Sequence, residues 1–308
     1  MGRAAVWIAA GAAVTAALVL TLTGAGDDPA ALPNWQALVL GLVQGATELL
    51  PISSSGHLIL VPWLGDWDYL KEHDAFNQTF DVSLHLGTLV AVALYFQEDI
   101  RRLLIAWVGS VRRRRVETAD ERIAWYVAVA TLPAAAVGAL GEDLIAENLG
   151  EPWQIAINLA VFGLLLYAAD RTAQTRRMED IGLKAAVGVG LAQTLSLMPG
   201  VSRSGATIIT GLLTGLDRQT ATKFSFYLTI PTLGAATIYS LLPSLDQIPG
   251  DGIVLLAVGT IVSFVVSLIA IGWLLRYVAR NNFIAFGYYR IIAGVVILLL
   301  VWANIIRM

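Results

Sequence analysis

The sequence predicts an all-α polytopic membrane protein, an inverted-topology repeat with two re-entrant helical hairpins meeting near the bilayer midplane. Three observations predict it. Of the 308 residues, 57% are hydrophobic and only 14% charged, against roughly 25% charged in an ordinary soluble domain. The apolar runs approach the ~20 residues that a helix needs to cross hydrocarbon. Two further runs are broken by proline, glycine and serine at matching positions. A mean hydropathy of +0.70 excludes a soluble enzyme, and the long continuous runs argue against an outer-membrane barrel or a disordered chain.

Residues 5–23, 79–97, 123–140, 153–169, 224–243, 252–275 and 284–304 read as spanning helices. The connections between them alternate in charge. Arg101 to Arg122, Arg171 to Lys184, Arg218 to Lys223 and Arg276 to Arg280 are basic, whereas Asp66 to Asp74, Glu142 to Glu151 and Asp246 to Asp251 are acidic. Lysine and arginine mark the cytoplasmic side. With Arg3 and the four basic connections inside, 16 of the 20 Lys and Arg residues are accounted for, and Lys71 and Arg307 fall outside. Arg203 and Arg290 remain, within or beside apolar sequence, where a permanent charge normally faces a polar interior. Residues 5–23 read as a retained helix of an N-terminal extension, residues 1–34, with a secretory signal as the alternative. Residues 35–308 form one membrane domain.

Two stretches are too short and too broken to span. In Ala37 to Leu64 the run is interrupted by Pro51, Ser53, Ser54, Ser55 and Gly56, and in Leu183 to Leu216 by Pro199, Gly200, Ser202, Arg203, Ser204 and Gly205. Irregular backbone at membrane depth is tolerated only where protein or a polar cavity satisfies it, so both stretches read as re-entrant hairpins. An ungapped offset of 149 aligns Gly41 with Gly190, Gln44 with Gln193, Ser53 with Ser202, Ser55 with Ser204 and Gly56 with Gly205. This internal repeat divides the domain at about 35–170 and 183–308. The first hairpin enters from the acidic side and the second from the basic side, so the halves are expected to be inverted copies with a site where the tips meet.

Gln44 and Glu48 lie four residues apart on one helical face that leads into Pro51-Ile52-Ser53-Ser54-Ser55-Gly56-His57. A buried carboxylate there can act as general base, metal ligand or hydrogen-bond acceptor, or stay neutral against a neighbouring helix. The serines can cap the second arm or supply an activated hydroxyl, which needs a base within reach. Arg203 brings a five-donor fork suited to phosphate oxygens, and Gly200 and Gly205 let backbone amides approach the same anion. His85 reads as an interfacial polar residue, and Trp63, Trp67 and Tyr69 as an interface belt. Zero cysteines and three histidines, His57, His73 and His85, leave any metal to oxygen ligands. A net charge of −3 gives no footprint for nucleic acid.

Residues 41–57, Gly-Leu-Val-Gln-Gly-Ala-Thr-Glu-Leu-Leu-Pro-Ile-Ser-Ser-Ser-Gly-His, and 199–207, Pro-Gly-Val-Ser-Arg-Ser-Gly-Ala-Thr, closely resemble the two signatures of the bacterial undecaprenyl-diphosphatase, or bacitracin-resistance, family. Similarity extends over Phe80 to Gln97, Phe224 to Pro231 and Tyr289-Arg290. The resemblance implies an inner-membrane enzyme, open to the outer face, that removes the terminal phosphate of undecaprenyl diphosphate and so recycles the carrier for cell-wall polymers. It implies a divalent cation, Mg²⁺ or Ca²⁺, a polyprenyl diphosphate substrate among bilayer lipids, and residues 35–308 as the catalytic domain. On that carry-over Ser54 is the nucleophile, with His57 the alternative nucleophile or proton carrier. Glu48 moves the proton or orients the cation, Arg203 clamps the diphosphate, and Ser53, Ser55, Gly200, Ser202, Ser204, Gly205 and Arg290 complete the polar shell. Many family members carry a second glutamate where Gln44 stands, which leaves Glu48 as the sole acid and Gln44 a neutral oxygen donor. A polyprenyl-phosphate flippase is the alternative function, since broken helices in inverted halves are common in transporters. A histidine-nucleophile lipid phosphatase fits less well, because after five intervening residues the Ser202-Arg203 pair is followed by Ile209, where that class has histidine. Whether the protein forms a homodimer is left open.

Overall fold

The computed structural model describes residues 33–67, 74–141, 148–244 and 252–303, together with Thr15. The helix expected at 5–23, all but the end of the 1–34 extension, and Tyr69, Lys71, His73 and Arg307 lie outside the described residues, as does most of each acidic connection. Among the described residues the chain is helical, its β-structure limited to one isolated bridge between Arg176 and Leu216. The helices are α1 (Asn34–Thr47), α2 (Ser54–Leu64), α3 (Asp74–Tyr95), α4 (Gln97–Arg113), α5 (Ala119–Leu140), α6 (Pro152–Ala169), α7 (Leu183–Thr194), α8 (Arg203–Leu213), α9 (Arg218–Ser244), α10 (Gly252–Val278) and α11 (Ile284–Trp302).

Four of these, α5, α6, α10 and α11, are long and apolar enough to cross a membrane, and they coincide with four of the expected spans. The chain is therefore a multi-pass membrane protein. The expected span 224–243 lies in α9, which is long enough at 27 residues but rich in threonine and serine. Those hydroxyls are not facing lipid: Thr222, Ser225 and Thr229 are buried. The expected span 79–97 lies in α3 and ends at a 79° bend into α4. Helix α4 carries Glu98 and Asp99 in its first turn and Arg112 and Arg113 in its last, charges that complement its dipole.

Helices α1 and α3 pack on α10, α7 packs on α5, α6 packs on α11, and α9 lies against α3 and α5. Each hairpin's first arm is thus seated on a helix from the other half of the chain. Small residues and hydroxyls make this seating close, as expected where lipid removes the hydrophobic drive between helices. Thr88 of α3 bonds Ser263 and Ser267 of α10 at 3.2 and 2.9 Å, and Ser263 donates to the Leu84 carbonyl at 2.8 Å.

The two hairpin turns have one conformation. Ser53 caps α2 with φ 75° and ψ 93°, its hydroxyl accepting from the Gly56 amide, and Ser202 caps α8 with φ 73° and ψ 119°, its hydroxyl accepting from the Gly205 amide. A serine at positive φ is costly and persists only where its surroundings over-determine it. Here the cap bond helps hold it, and so does Arg290. Fully buried on α11, Arg290 donates from Nη1 to the Pro51 carbonyl at 3.0 Å, from Nη2 to the Gly200 and Val201 carbonyls at 2.8 Å each, and from Nε to the Leu159 carbonyl at 3.4 Å. One guanidinium therefore satisfies the irregular backbone of both turns. Arg290→Met keeps an unbranched side chain but leaves these carbonyls without donors. It should lower unfolding stability in detergent by on the order of 3 kcal/mol or more, measured by thermal or denaturant melts. A melt like that of the wild type would remove the bolt.

Candidate active site

Glu48 ends α1, one turn after Gln44, with its amide closing the last helical bond to the Gln44 carbonyl at 2.9 Å. Its carboxylate is buried and accepts from three side chains, with a fourth close by. Arg203 Nη2, from the opposite tip, donates to Oε1 at 2.7 Å. The Ser54 hydroxyl donates to Oε2, the Gln44 side-chain amide donates to the same oxygen at 3.2 Å, and His85 Nε2 lies 3.5 Å from it. Arg203 is itself anchored through Nη1 to Thr229 Oγ1 at 2.6 Å, and Thr229 donates to the Ser225 carbonyl. Such a pair is strongly held because breaking it strands a charge away from water.

The opposing tip is tied to the first through Ser204, whose hydroxyl donates to the Leu50 carbonyl at 2.9 Å and lies 3.3 Å from the Glu48 carbonyl oxygen. Ser202 and Ser204 hydroxyls lie 3.1 Å apart, and those of Ser53 and Ser55 3.4 Å apart. Two glycines are required by close approach. Gly200 has φ 93°, and a Cβ there would stand 2.6 Å from the Ile155 carbonyl oxygen, while one on Gly205 would stand 2.7 Å from Arg290 Nη1.

Glu48, Ser54, Gln44 and Arg203, predicted from the two motifs, thus form one cluster, with Ser53, Ser55, Gly200, Ser202, Ser204 and Gly205 in the turns that carry it. Arg290 reaches the same turns, yet its donors are engaged by carbonyls and its side chain is 0% exposed, so it holds the tips together from behind. His57 is oriented away from the carboxylate: its Nδ1 bonds the Ser53 carbonyl at 2.6 Å and its Nε2 the Tyr289 hydroxyl at 2.5 Å. A hydroxyl bonded to a buried carboxylate is the geometry of an activated nucleophile, which favours Ser54 over His57. His85, read from sequence as interfacial, instead stands beside Glu48, and Thr229 and Tyr289 were not singled out as site residues. For His85 the signal was present, since an ionisable side chain inside a spanning helix is functional by default.

The donor set does not fit a cation held by protein alone. Glu48 supplies one carboxylate whose oxygens are already bonded to Arg203, Ser54 and Gln44, and among the described residues no group of three or more His, Cys, Asp or Glu side chains could hold a metal. Gln44 Oε1 is buried without a hydrogen-bond partner, one neutral oxygen beside the carboxylate. Mg²⁺ often binds through one carboxylate plus substrate phosphates, so these oxygens suit a cation that arrives on a phosphorylated ligand.

Fold and site together define an integral membrane protein with a buried carboxylate, hydroxyl and guanidinium assembled from two hairpin tips. Residues 37–296 match the family model described as bacitracin resistance protein BacA, and the chain belongs to that family. Among its relatives are proteins named undecaprenyl-diphosphatase from Rubrobacter xylanophilus, 44% identical over 83% of this chain and 93% of the relative, and from Corynebacterium glutamicum, 42% identical over 91% and 96%. A third, from Moorella thermoacetica, is 41% identical over 87% of this chain and 97% of its own length.

The Glu48–Arg203 pair should behave as a coupled unit. In a double-mutant cycle of Glu48→Gln and Arg203→Ala, unfolding in detergent should give a coupling of about 1–3 kcal/mol. Additive effects would mean that the two side chains do not meet.

Proposed function

We propose that the protein is a membrane phosphatase that hydrolyses undecaprenyl diphosphate to undecaprenyl phosphate and inorganic phosphate, recycling the lipid carrier for cell-wall synthesis. The observation that carries this reading is the Ser54 hydroxyl bonded to Glu48, whose other oxygen is held by Arg203 from the opposite tip. The relatives' names support the substrate. They give no support to the flippase alternative.

In the proposed reaction the terminal phosphate displaces Glu48 from Arg203 and takes over its guanidinium donors. Ser54 Oγ then attacks the terminal phosphorus while Glu48 accepts its proton. The bond from that phosphorus to the bridging oxygen breaks, and undecaprenyl phosphate leaves with the electron pair. Water next attacks the phosphoserine, Oγ departs with the proton stored on Glu48, and Glu48 accepts one from the water and releases it to solvent. Catalysis rests on positioning and charge neutralisation, as phosphoryl transfer generally does. Glu48 and Gln44 Oε1, together with the substrate's own phosphate oxygens, would hold a divalent cation, Mg²⁺ or Ca²⁺, which would neutralise charge on the diphosphate.

The proposed setting is the bacterial inner membrane, with the site open to the outer face. The two halves are read as inverted copies whose re-entrant tips meet near the midplane. Supporting this are the 149-residue offset, the matching conformations of Ser53 and Ser202, and the reciprocal seating of α1 on α10 and α7 on α5.

Purified protein in detergent with Mg²⁺ or Ca²⁺ should release phosphate from farnesyl or undecaprenyl diphosphate. Ser54→Ala and Arg203→Ala should each lower kcat by roughly 10³-fold, and a chelator should suppress the wild type until the cation is restored. Full activity in both variants, or release only in sealed vesicles, would sink the reading.

A further inference from the structure

We infer that Tyr289 is a positioning residue that holds the His57 ring on the rim of the site by donating to Nε2, the lone-pair nitrogen of the tautomer that the Ser53 carbonyl sets. The inference starts from what each partner of the imidazole can do. The Ser53 carbonyl, 2.6 Å from Nδ1, is an acceptor and nothing else, so Nδ1 carries the hydrogen. In the neutral ring Nε2 is then an acceptor. The group that meets it is the Tyr289 hydroxyl at 2.5 Å, which donates. The two ring planes lie 11° from parallel with centroids 5.8 Å apart, so the hydroxyl meets the nitrogen near the plane of the imidazole.

A hydroxyl at this position has no packing explanation. Tyr289 is 44% exposed and lies on the same side of α11 as Ile292 and Val296, which are 61% and 47% exposed. Phenylalanine or leucine would suit a surface turned to hydrocarbon equally well. What the hydroxyl adds is a bond to a residue 232 positions away in the chain. Its aim is set by its neighbour, because Arg290 pins α11 to both hairpin turns through carbonyls of Pro51, Gly200 and Val201. The ends of the lock are thus referenced to the same backbone. Ser53 belongs to the first turn, and α11 is bolted to both.

This lock rests on the phosphatase reading only in the kinetic arm of its test, where His57 follows the Ser53–Ser55 turn that carries the nucleophile, and its main test needs no turnover. The chain holds three histidines, so ¹⁵N-histidine-labelled protein gives an assignable spectrum, with His57→Gln identifying the signals of His57. In the wild type His57 should show a protonated Nδ1 and a hydrogen-bonded, unprotonated Nε2. Tyr289→Phe, which keeps the ring, should lose the hydrogen-bond shift at Nε2 while Nδ1 stays protonated against the Ser53 carbonyl. In phosphate release the same variant should lower kcat about tenfold with KM within about twofold, and should have no further effect in a His57→Gln background. If Tyr289→Phe fails to fold, replacement by a fluorotyrosine, a stronger donor of the same shape, should move the Nε2 signal instead. A wild-type spectrum dominated by the Nε2-protonated form, or an Nε2 signal indifferent to both replacements, would overturn the lock. Loss of wild-type phosphate release with the tautomer signals intact would overturn the phosphatase reading and leave the lock standing.

Discussion

The structure depends on one ion pair. Glu48 and Arg203 each sit at the tip of a hairpin, far apart in sequence, Glu48 buried and Arg203 only 10% exposed, where an unpaired charge costs several kcal/mol. Each is tolerable only because the other is there. Their meeting requires both tips to reach the same point, which in turn requires arms too short to span, serines forced to positive φ, and a source of donors for the stranded turn carbonyls. Arg290 is that source, and its burial makes sense only with the turns in place. Even the polarity of α9 follows, since Thr229 holds the far side of the Arg203 guanidinium.

This arrangement also sets how the site can work. With a carboxylate and guanidinium paired, the unliganded cluster is close to neutral and its donors are occupied. In the proposed reaction a phosphorylated lipid competes with Glu48 for Arg203, and in doing so frees the carboxylate to accept the Ser54 proton. Binding and base activation are therefore one event. Gln44 fits this economy of charge: its amide donates to Glu48 without adding a second negative charge that would repel a diphosphate.

Much of this was legible in the sequence, for a physical reason. Polar residues in apolar runs stand out, so both hairpins, the membership of Glu48, Ser54 and Arg203 in one site, and the spans α5, α6, α10 and α11 could be read directly. The proposed inverted pairing rests on the same repeat. Less legible was anything whose meaning lies in a distant partner. Arg290 shares the look of a substrate clamp, and only its four carbonyl partners show it to be a bolt. His85 looked interfacial because its position along α3 could be counted but its direction toward Glu48 could not. Tyr289 and Thr229 resemble ordinary spanning-helix residues until the tertiary contacts place their hydroxyls.

The most direct test is the distance from the Arg203 guanidinium nitrogen to the Glu48 carboxyl carbon, measured by solid-state NMR in lipid bilayers with ¹⁵N-arginine and ¹³C-glutamate, using Glu48→Gln to isolate the pair. A separation of about 4 Å or less is predicted, as a charge-assisted hydrogen bond demands. No dipolar coupling lost on Glu48→Gln would place the two charges apart, and the assembled site with them.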